Sequence, residues 1–226
     1  GAKAREAVLG QAAPPPTLPH YLCAEQRSLK QILLQRWGPH EFPLKVYLPL
    51  PTGLSPTPVL HRNAVDTAFR SWQKVWPALT YVYVNQPVKN GITVVWHEHV
   101  PHDQGLVWGS AYLPEYYWTE DRKVLHWSRM NLAVKAHQGS GLYSDQVMDL
   151  SFEEMRDLAI HEIGHALGLP HSDDGNDVMG GGNAFLSTAL NMRNISPRDA
   201  YTLRLLYALP YSTKQHPCAG VSSQSF

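Results

Sequence analysis

The side chains most able to do chemistry lie in one short stretch of the sequence, HEIGHALGLPH. His161 and His165 are four positions apart, so on a helix both imidazoles project from one face, one turn apart. Two nitrogens placed in this way can bind one Zn²⁺. Glu162 follows the first histidine, where a carboxylate can hydrogen-bond a zinc-bound water and accept its proton.

The same stretch supplies a third candidate ligand. Gly168 can adopt the left-handed conformation that ends a helix, and the chain can then turn and bring His171 back. Three protein ligands leave a fourth position for water, which is the arrangement of a catalytic zinc site. A lone HExxH also occurs by chance, and a helical histidine is more often a surface or core residue than a ligand. The five fixed positions of HExxHxxGxxH together favour zinc.

The elements that must position these groups follow from local patterns. The capping box Ser151-Phe152-Glu153-Glu154 predicts a helix from Phe152 to about Gly168, and Ser196-Pro197 predicts the start of another. Apolar spacing predicts two earlier helices, and runs of β-branched and aromatic residues predict strands. The helices are expected over residues 27–37 and 59–76, and the strands over 42–48, 79–84, 92–96, 106–113 and 124–134.

The zinc-binding stretch continues in a way that resembles a known family. Met179 follows eight residues after His171, as in the metzincin clan of zinc peptidases, and Ser172 resembles the matrixins within that clan. The segment LAIHEIGHALGLPHSDDGNDVM is similar to the matrixin pattern throughout, and the likeness extends over about residues 42–209. It implies an α+β fold, with a twisted five-stranded mixed sheet, two long helices and a small C-terminal subdomain with one helix. It also implies one catalytic zinc, with a Met-turn at Met179 beneath the three histidines.

The resemblance further implies a secreted endopeptidase that hydrolyses peptide bonds by a zinc-activated water, with Glu162 as general base. An extended substrate would pair as an added strand along the edge of the sheet. The residues expected to contact it are Val107, Trp108, Gly109, Ser110 and Ala111. After the Met-turn the sequence lacks the Pro-x-Tyr that walls the specificity pocket in this family. Phe185 is a candidate for that wall, and a core or rim position is the alternative.

One metal ion is expected. Animal matrixins carry a longer loop that binds a structural zinc and calcium, and residues 97–104 here have neither its spacing nor its length, so a second zinc is not expected. The stretch Asp173-Asp174-Gly175-Asn176-Asp177 lacks the alternating spacing of an EF-hand loop. A solvated turn is therefore expected there, and calcium binding is the alternative. The isolated histidines are expected at the surface: His40, His61, His137 and His216.

The two cysteines, Cys23 and Cys218, have two interpretations. Matrixins are commonly kept latent by a propeptide cysteine that fills the fourth zinc position, but the residues around Cys23 do not match the family's Pro-Arg-Cys-Gly motif. The alternative is a Cys23–Cys218 disulfide that ties the two ends together in an oxidising compartment. The even count and the terminal placement favour the disulfide.

Composition and charge exclude several other classes of protein. The chain has 226 residues, with 19 Lys+Arg against 19 Asp+Glu and 43% hydrophobic residues. Zero net charge argues against a nucleic-acid partner, no apolar run approaches the length of a membrane helix, and the composition is not that of a disordered chain. We expect an N-terminal arm or short pro-segment over residues 1–41, a catalytic domain over 42–210 and a tail over 211–226.

The start GAKAREAVLG lacks the apolar core of a signal peptide. We expect a secreted, extracellular or periplasmic protein whose signal has been removed or lies outside this sequence. Protein or peptide substrates and a monomeric state are expected. A non-catalytic binding protein with a zinc-stabilised metzincin shell is the alternative function, and a zinc hydrolase acting on a non-peptide amide is a third. The intact Glu162 argues against the pure binder.

Overall fold

The computed structural model describes residues 19–102, 105–137, 147–180 and 194–219. Its helices are α1 (Leu29–Leu34), α2 (Pro58–Val75), α3 (Phe152–Ala166) and α4 (Pro197–Ala208), with a short 3-10 turn at Pro39–Glu41. Its strands are β1 (Leu44–Tyr47), β2 (Tyr81–Val84), β3 (Gly91–His97), β4 (Val100–His102), β5 (Gly105–Val107), β6 (Gly109–Ala111), β7 (Glu115–Trp118), β8 (Val124–Ala133), β9 (Lys135–His137) and β10 (Val147–Asp149).

The main sheet is mixed, as the fold class requires. Its order is β2-β1-β3-β8-β6, and β7 also pairs with β8, so two short strands share one edge. The pairs among β2, β1, β3 and β8 are parallel, whereas β6 and β7 run antiparallel to β8. The small hairpins β4–β5 and β9–β10 lie outside this sheet. Helices, parallel strands and an antiparallel edge together confirm the predicted matrixin-like fold.

The predicted edge strand over residues 106–113 is wrong in one respect, because it changes partner at Trp108. Before this residue β5 pairs with β4, and after it β6 pairs with β8, with Gly109 opposite Leu132. The carbonyl of Trp108 still accepts a hydrogen bond from the amide of Ala133 at 2.8 Å. Between the predicted strands 106–113 and 124–134 the structure has a further strand, β7, which extends the antiparallel edge.

The two long helices α2 and α3 pack against each other and build the core. Val65, Ala68, Phe69 and Trp72 are fully buried on one face of α2. The indole of Trp72 donates a hydrogen bond to the carbonyl of Ile160 in α3 at 2.8 Å. This hydrogen bond fixes the position of α2 along the axis of α3. Helix α3 carries the HExxH residues.

His61 lies on the same apolar face of α2 and is fully buried, so its expected surface position is wrong. It precedes Val65 by one helical turn, which places it toward the core. Its Nε2 lies 2.7 Å from the carbonyl oxygen of Leu150, and its ring stacks on Trp96. This histidine therefore ties α2 to the residue just before the cap of α3.

The chain before β1 joins the same core. Tyr21, Leu22, Ile32 and Trp37 are buried in it, and the indole of Trp37 donates to the carbonyl of Ala166 at 2.8 Å. From Tyr21 onward, the described part of the expected N-terminal arm thus packs against α3. Within the described part of the chain, no helix is long and apolar enough to cross a membrane.

Candidate metal centre and active site

Helix α3 presents the first two candidate ligands and ends where the sequence predicts. Its N-terminus has the capping box, with the Ser151 hydroxyl accepting from the Glu154 amide and the Glu154 carboxylate accepting from the Ser151 amide. Gly168, just past the helix, has a φ of +102°. A side chain there would also collide with the carbonyl oxygen of Gln35, since a Cβ would lie 2.6 Å from it. Gly168 therefore makes the turn that returns His171 to the helix.

The three histidines converge on one point. The Nε2 atom of His165 lies 3.1 Å from the Nε2 atom of His161 and 3.1 Å from that of His171. The ligand atoms of the three side chains all lie within 4.8 Å of one another, which is close enough to hold one metal ion. His161 and His165 are buried, and His171 is about half exposed.

The other ring nitrogen of each histidine faces a hydrogen-bond acceptor. Nδ1 of His161 lies 2.8 Å from the carbonyl oxygen of Val178, and Nδ1 of His165 lies 2.8 Å from that of Leu169. Nδ1 of His171 lies 3.1 Å from a carboxylate oxygen of Glu25. Since these acceptors need an N–H, each Nδ1 carries the proton and each Nε2 is left with a lone pair.

Lone pairs that face each other at 3.1 Å repel unless a cation lies between them. Neutral imidazoles with their second nitrogen anchored are the donor set that zinc prefers. The buried His165 has a pKa well below the ordinary histidine value, first because burial penalises its charged form and then because His161 and His171 lie beside it. The residues present therefore fit a three-histidine zinc site.

Glu162 lies next to this site with a free carboxylate oxygen. Its side chain is buried, and its Oε2 has no hydrogen-bond partner among the described residues. Burial raises the pKa of this carboxyl to about 8. A Cβ atom on Gly109 would lie 2.9 Å from its Oε1, so the carboxyl is held against the edge strand β6. A buried carboxyl with an unpaired oxygen, one residue after the first candidate ligand on α3, can exchange protons with a substrate or a water.

Met179 is fully buried against Gly164 of α3 and lies in a firmly held turn. Its carbonyl accepts from the Ser172 amide at 2.7 Å. The carboxylate of Asp199 accepts from the amides of Val178 and Met179 at 2.8 and 3.4 Å. Because the carbonyl of Val178 also anchors His161, α4 stabilises a zinc ligand through this turn.

The matrixin family model matches residues 54–208 of the chain. The chain belongs to the matrixin family. This membership makes the protein a metallopeptidase and implies a catalytic zinc, for which the cluster of His161, His165 and His171 fits. A comparison with curated proteins finds no match.

The candidate substrate residues of this matrixin lie in different places. Gly109, Ser110 and Ala111 form the edge strand β6 and are partly exposed, while Trp108 packs against the core. The hydroxyl of Ser110 accepts from the Asn131 amide at 3.2 Å, so it is turned toward β8. The backbone of Val107 belongs to β5 and pairs with Val100. Phe185 lies outside the described residues, and its role in the pocket stays a prediction.

Cys23 and Cys218 are joined by a disulfide in the structure, with their Cα atoms 5.6 Å apart. The favoured disulfide is therefore confirmed over the latency thiol, and neither cysteine is free to occupy the fourth zinc position. Sequence reasoning missed two residues at the site, Glu25 and Asp199. Neither stands in a motif that points to the site, because each reaches it from a distant part of the chain.

Proposed function

We propose that this matrixin is an exported zinc-dependent endopeptidase in which Glu162 is the general base. The observation that carries the proposal is the convergence of three anchored Nε2 atoms, together with the unpaired Oε2 of Glu162 on the helix that presents two of them. His161, His165 and His171 would hold the zinc. When bound, zinc supplies Lewis acidity, which polarises a carbonyl group and lowers the pKa of a water molecule.

The residues of the chain supply the proton transfers and the positioning. Glu162 accepts a proton from water in the attack step and returns it to the leaving amine when the peptide bond breaks. Its burial removes competing solvent, and its position against Gly109 brings it beside the edge strand. A carboxyl whose pKa lies near neutral pH is suited to both the base and the acid half of this cycle.

The edge strand β6 suits an extended substrate. It pairs with β8 on one side, and it is the last strand in its part of the sheet order. A peptide that adds a strand here would run past Gly109 and Ser110, with its scissile bond near Glu162. The short length of β6 limits the backbone hydrogen bonds to a few residues on either side of that bond.

Export is supported by the Cys23–Cys218 disulfide, because disulfides persist in oxidising compartments outside the cytosol. Secreted, extracellular and periplasmic locations share this property. The disulfide also gives the chain a covalent tie between its N-terminal segment and the residues after α4.

The test is cleavage of a mixed peptide library, with a chelator and with zinc added back. The wild-type protein should cleave peptides, lose activity in 1,10-phenanthroline and regain it with one equivalent of Zn²⁺. Glu162→Gln should retain zinc, measured by mass spectrometry of the metal, and cleave about 10²–10⁴-fold more slowly. Wild-type protein that binds zinc but cleaves no peptide would indicate the binding-protein alternative. Glu162→Gln with full activity would overturn the assignment of the base.

A further inference from the structure

Glu25 makes a side-chain contact to the Nδ1 atom of His171, a candidate zinc ligand. Its Oε1 accepts from the backbone amide of His171 and from Nδ1 of the same residue, each at 3.1 Å. The corresponding contacts of His161 and His165 go to backbone carbonyls of the adjoining loop. The ligand with the most exposed side chain is therefore held by a carboxylate 146 positions away in the sequence.

The geometry separates Glu25 from the metal position. Oε1 contacts the Nδ1 side of the imidazole, whereas Nε2 on the opposite side faces His165 at 3.1 Å. A carboxylate that filled the fourth zinc position would have to approach the Nε2 side. Glu25 therefore orients the ligand from behind.

Contacts on both sides of Glu25 hold its segment in place. Two residues before Glu25, Cys23 forms the disulfide with Cys218. Four residues before Glu25, the hydroxyl of Tyr21 donates a hydrogen bond to Asp199 at 2.8 Å. Two residues after Glu25, the carbonyl of Arg27 accepts from Nε2 of His216 at 2.9 Å. The disulfide and the His216 contact both join the segment to the chain that follows α4.

We propose that Glu25 is a positioning residue for the zinc ligand His171, and that the Cys23–Cys218 disulfide holds Glu25 in this position. The inference rests on the zinc centre proposed above. A carboxylate that accepts the second N–H of a ligating histidine fixes the ring orientation and increases the basicity of the metal-facing nitrogen. The N-terminal segment, which sequence reasoning treated as a possible latency element, then contributes to metal binding.

The first test compares zinc affinity in Glu25→Ala, Glu25→Gln and the control Gln26→Ala. Gln26 is the exposed neighbour in the same segment. Competition with a chromophoric chelator should give a Kd for zinc about 10-fold weaker in Glu25→Ala, the lower end of the effect of removing such a partner. Glu25→Gln retains an oxygen acceptor for Nδ1–H and should lie between Glu25→Ala and wild type. Gln26→Ala should bind like wild type.

Cobalt substitution provides a readout that a loss of stability alone would not move. The visible d–d bands of the Co²⁺ protein should shift in Glu25→Ala and stay at the wild-type position in Gln26→Ala. The far-ultraviolet circular dichroism of each variant checks that the fold is retained. If Glu25→Ala has the Kd and the spectrum of wild type, the proposal is overturned, and the same holds if this variant cleaves peptides faster.

The role of the disulfide is tested by a double-mutant cycle. Cys23→Ser/Cys218→Ser should weaken zinc binding, and adding Glu25→Ala should cause less further loss than it does in wild type, because both changes remove the same contact. Fully additive losses would overturn the link between disulfide and ligand. If wild-type protein binds no zinc, it is the proposed metal centre that fails. Stoichiometric zinc in wild type with no effect at Glu25 would contradict the positioning role alone.

Discussion

The thioether of Met179 occupies the space that a side chain on Gly164 would need. A Cβ atom added to Gly164 would overlap the Met179 sulfur and would lie 3.0 Å from its terminal methyl carbon and 3.1 Å from the indole ring of Trp72. Gly164 lies between the glutamate and the second histidine of HExxH, so the bare backbone of the catalytic helix is the surface on which the Met-turn packs. A side chain at position 164 would therefore push the turn that contains Met179 away from α3.

Gly164→Ala should destabilise the protein by about 1–3 kcal/mol, which is the usual cost of inserting a methyl group into a packed core. The intrinsic helix preference of alanine works in the opposite direction by up to about 1 kcal/mol, so the net loss measures the clash. Urea denaturation of the zinc-free protein gives the free energy of unfolding. Gly175→Ala is the matched control, since a Cβ there meets nothing within 4 Å. Equal effects of the two substitutions would contradict the packing argument.

Much of the site could be predicted because its geometry is local. His161, Glu162 and His165 share one helix, the capping box sets where that helix begins, and Gly168 sets where it ends. Helical spacing also explains why His61 is buried. His61 precedes Val65 by one helical turn, and this spacing alone places it on the apolar face of α2.

The remaining contacts could not be predicted, because they join residues far apart in the chain. Glu25 meets His171 and Tyr21 meets Asp199 only after the N-terminal segment folds back over the C-terminal part. No local pattern encodes such a pairing. The change of partner at Trp108 was missed for a related reason, since an apolar run shows that strands form but does not show which neighbour each half pairs with.

Asp199→Asn should be strongly destabilising, because the carboxylate of Asp199 is surrounded by donors. One oxygen accepts from the amides of Val178 and Ser196, each at 2.8 Å, and the other accepts from the Tyr21 hydroxyl at 2.8 Å. An asparagine replaces one acceptor oxygen by an NH₂ group that faces donors. The expected loss in free energy of unfolding is about 3 kcal/mol, from weakened charged hydrogen bonds and a buried unpaired donor.

Tyr21→Phe provides the matched comparison for Asp199→Asn, because it removes one of these hydrogen bonds and leaves the carboxylate intact. Its expected loss is about 1–2 kcal/mol. Urea denaturation measures both variants under the same conditions. The account of Asp199 as the anchor of the Met-turn would be refuted by an Asp199→Asn loss no larger than that of Tyr21→Phe.

The buried pair of Glu41 and His126 should make stability depend on pH in the acid range. Both side chains are about 3% exposed, and the carboxylate accepts from Nδ1 of His126 at 2.6 Å and from the backbone amides of His126 and Gly38 at 2.7 and 2.6 Å. Burial alone would raise the pKa of this carboxyl, but these hydrogen bonds outweigh it and hold the pKa below the ordinary value of 4.5. The folded protein therefore binds this proton more weakly than the unfolded chain.

It follows that this pair stabilises the protein fully above about pH 5, and that the contribution is lost as the pH falls below the unfolded pKa and through the folded one. Glu41→Gln should lower the free energy of unfolding at pH 7 by about 3 kcal/mol, since it leaves the buried histidine without its charged partner. It should also flatten the decline of stability between pH 5 and pH 3. Urea denaturation across this range provides the measurement, with Glu115→Gln, an exposed glutamate on β7, as the control expected to follow wild type. An acid slope in Glu41→Gln as steep as in wild type would show that other carboxylates produce the pH dependence.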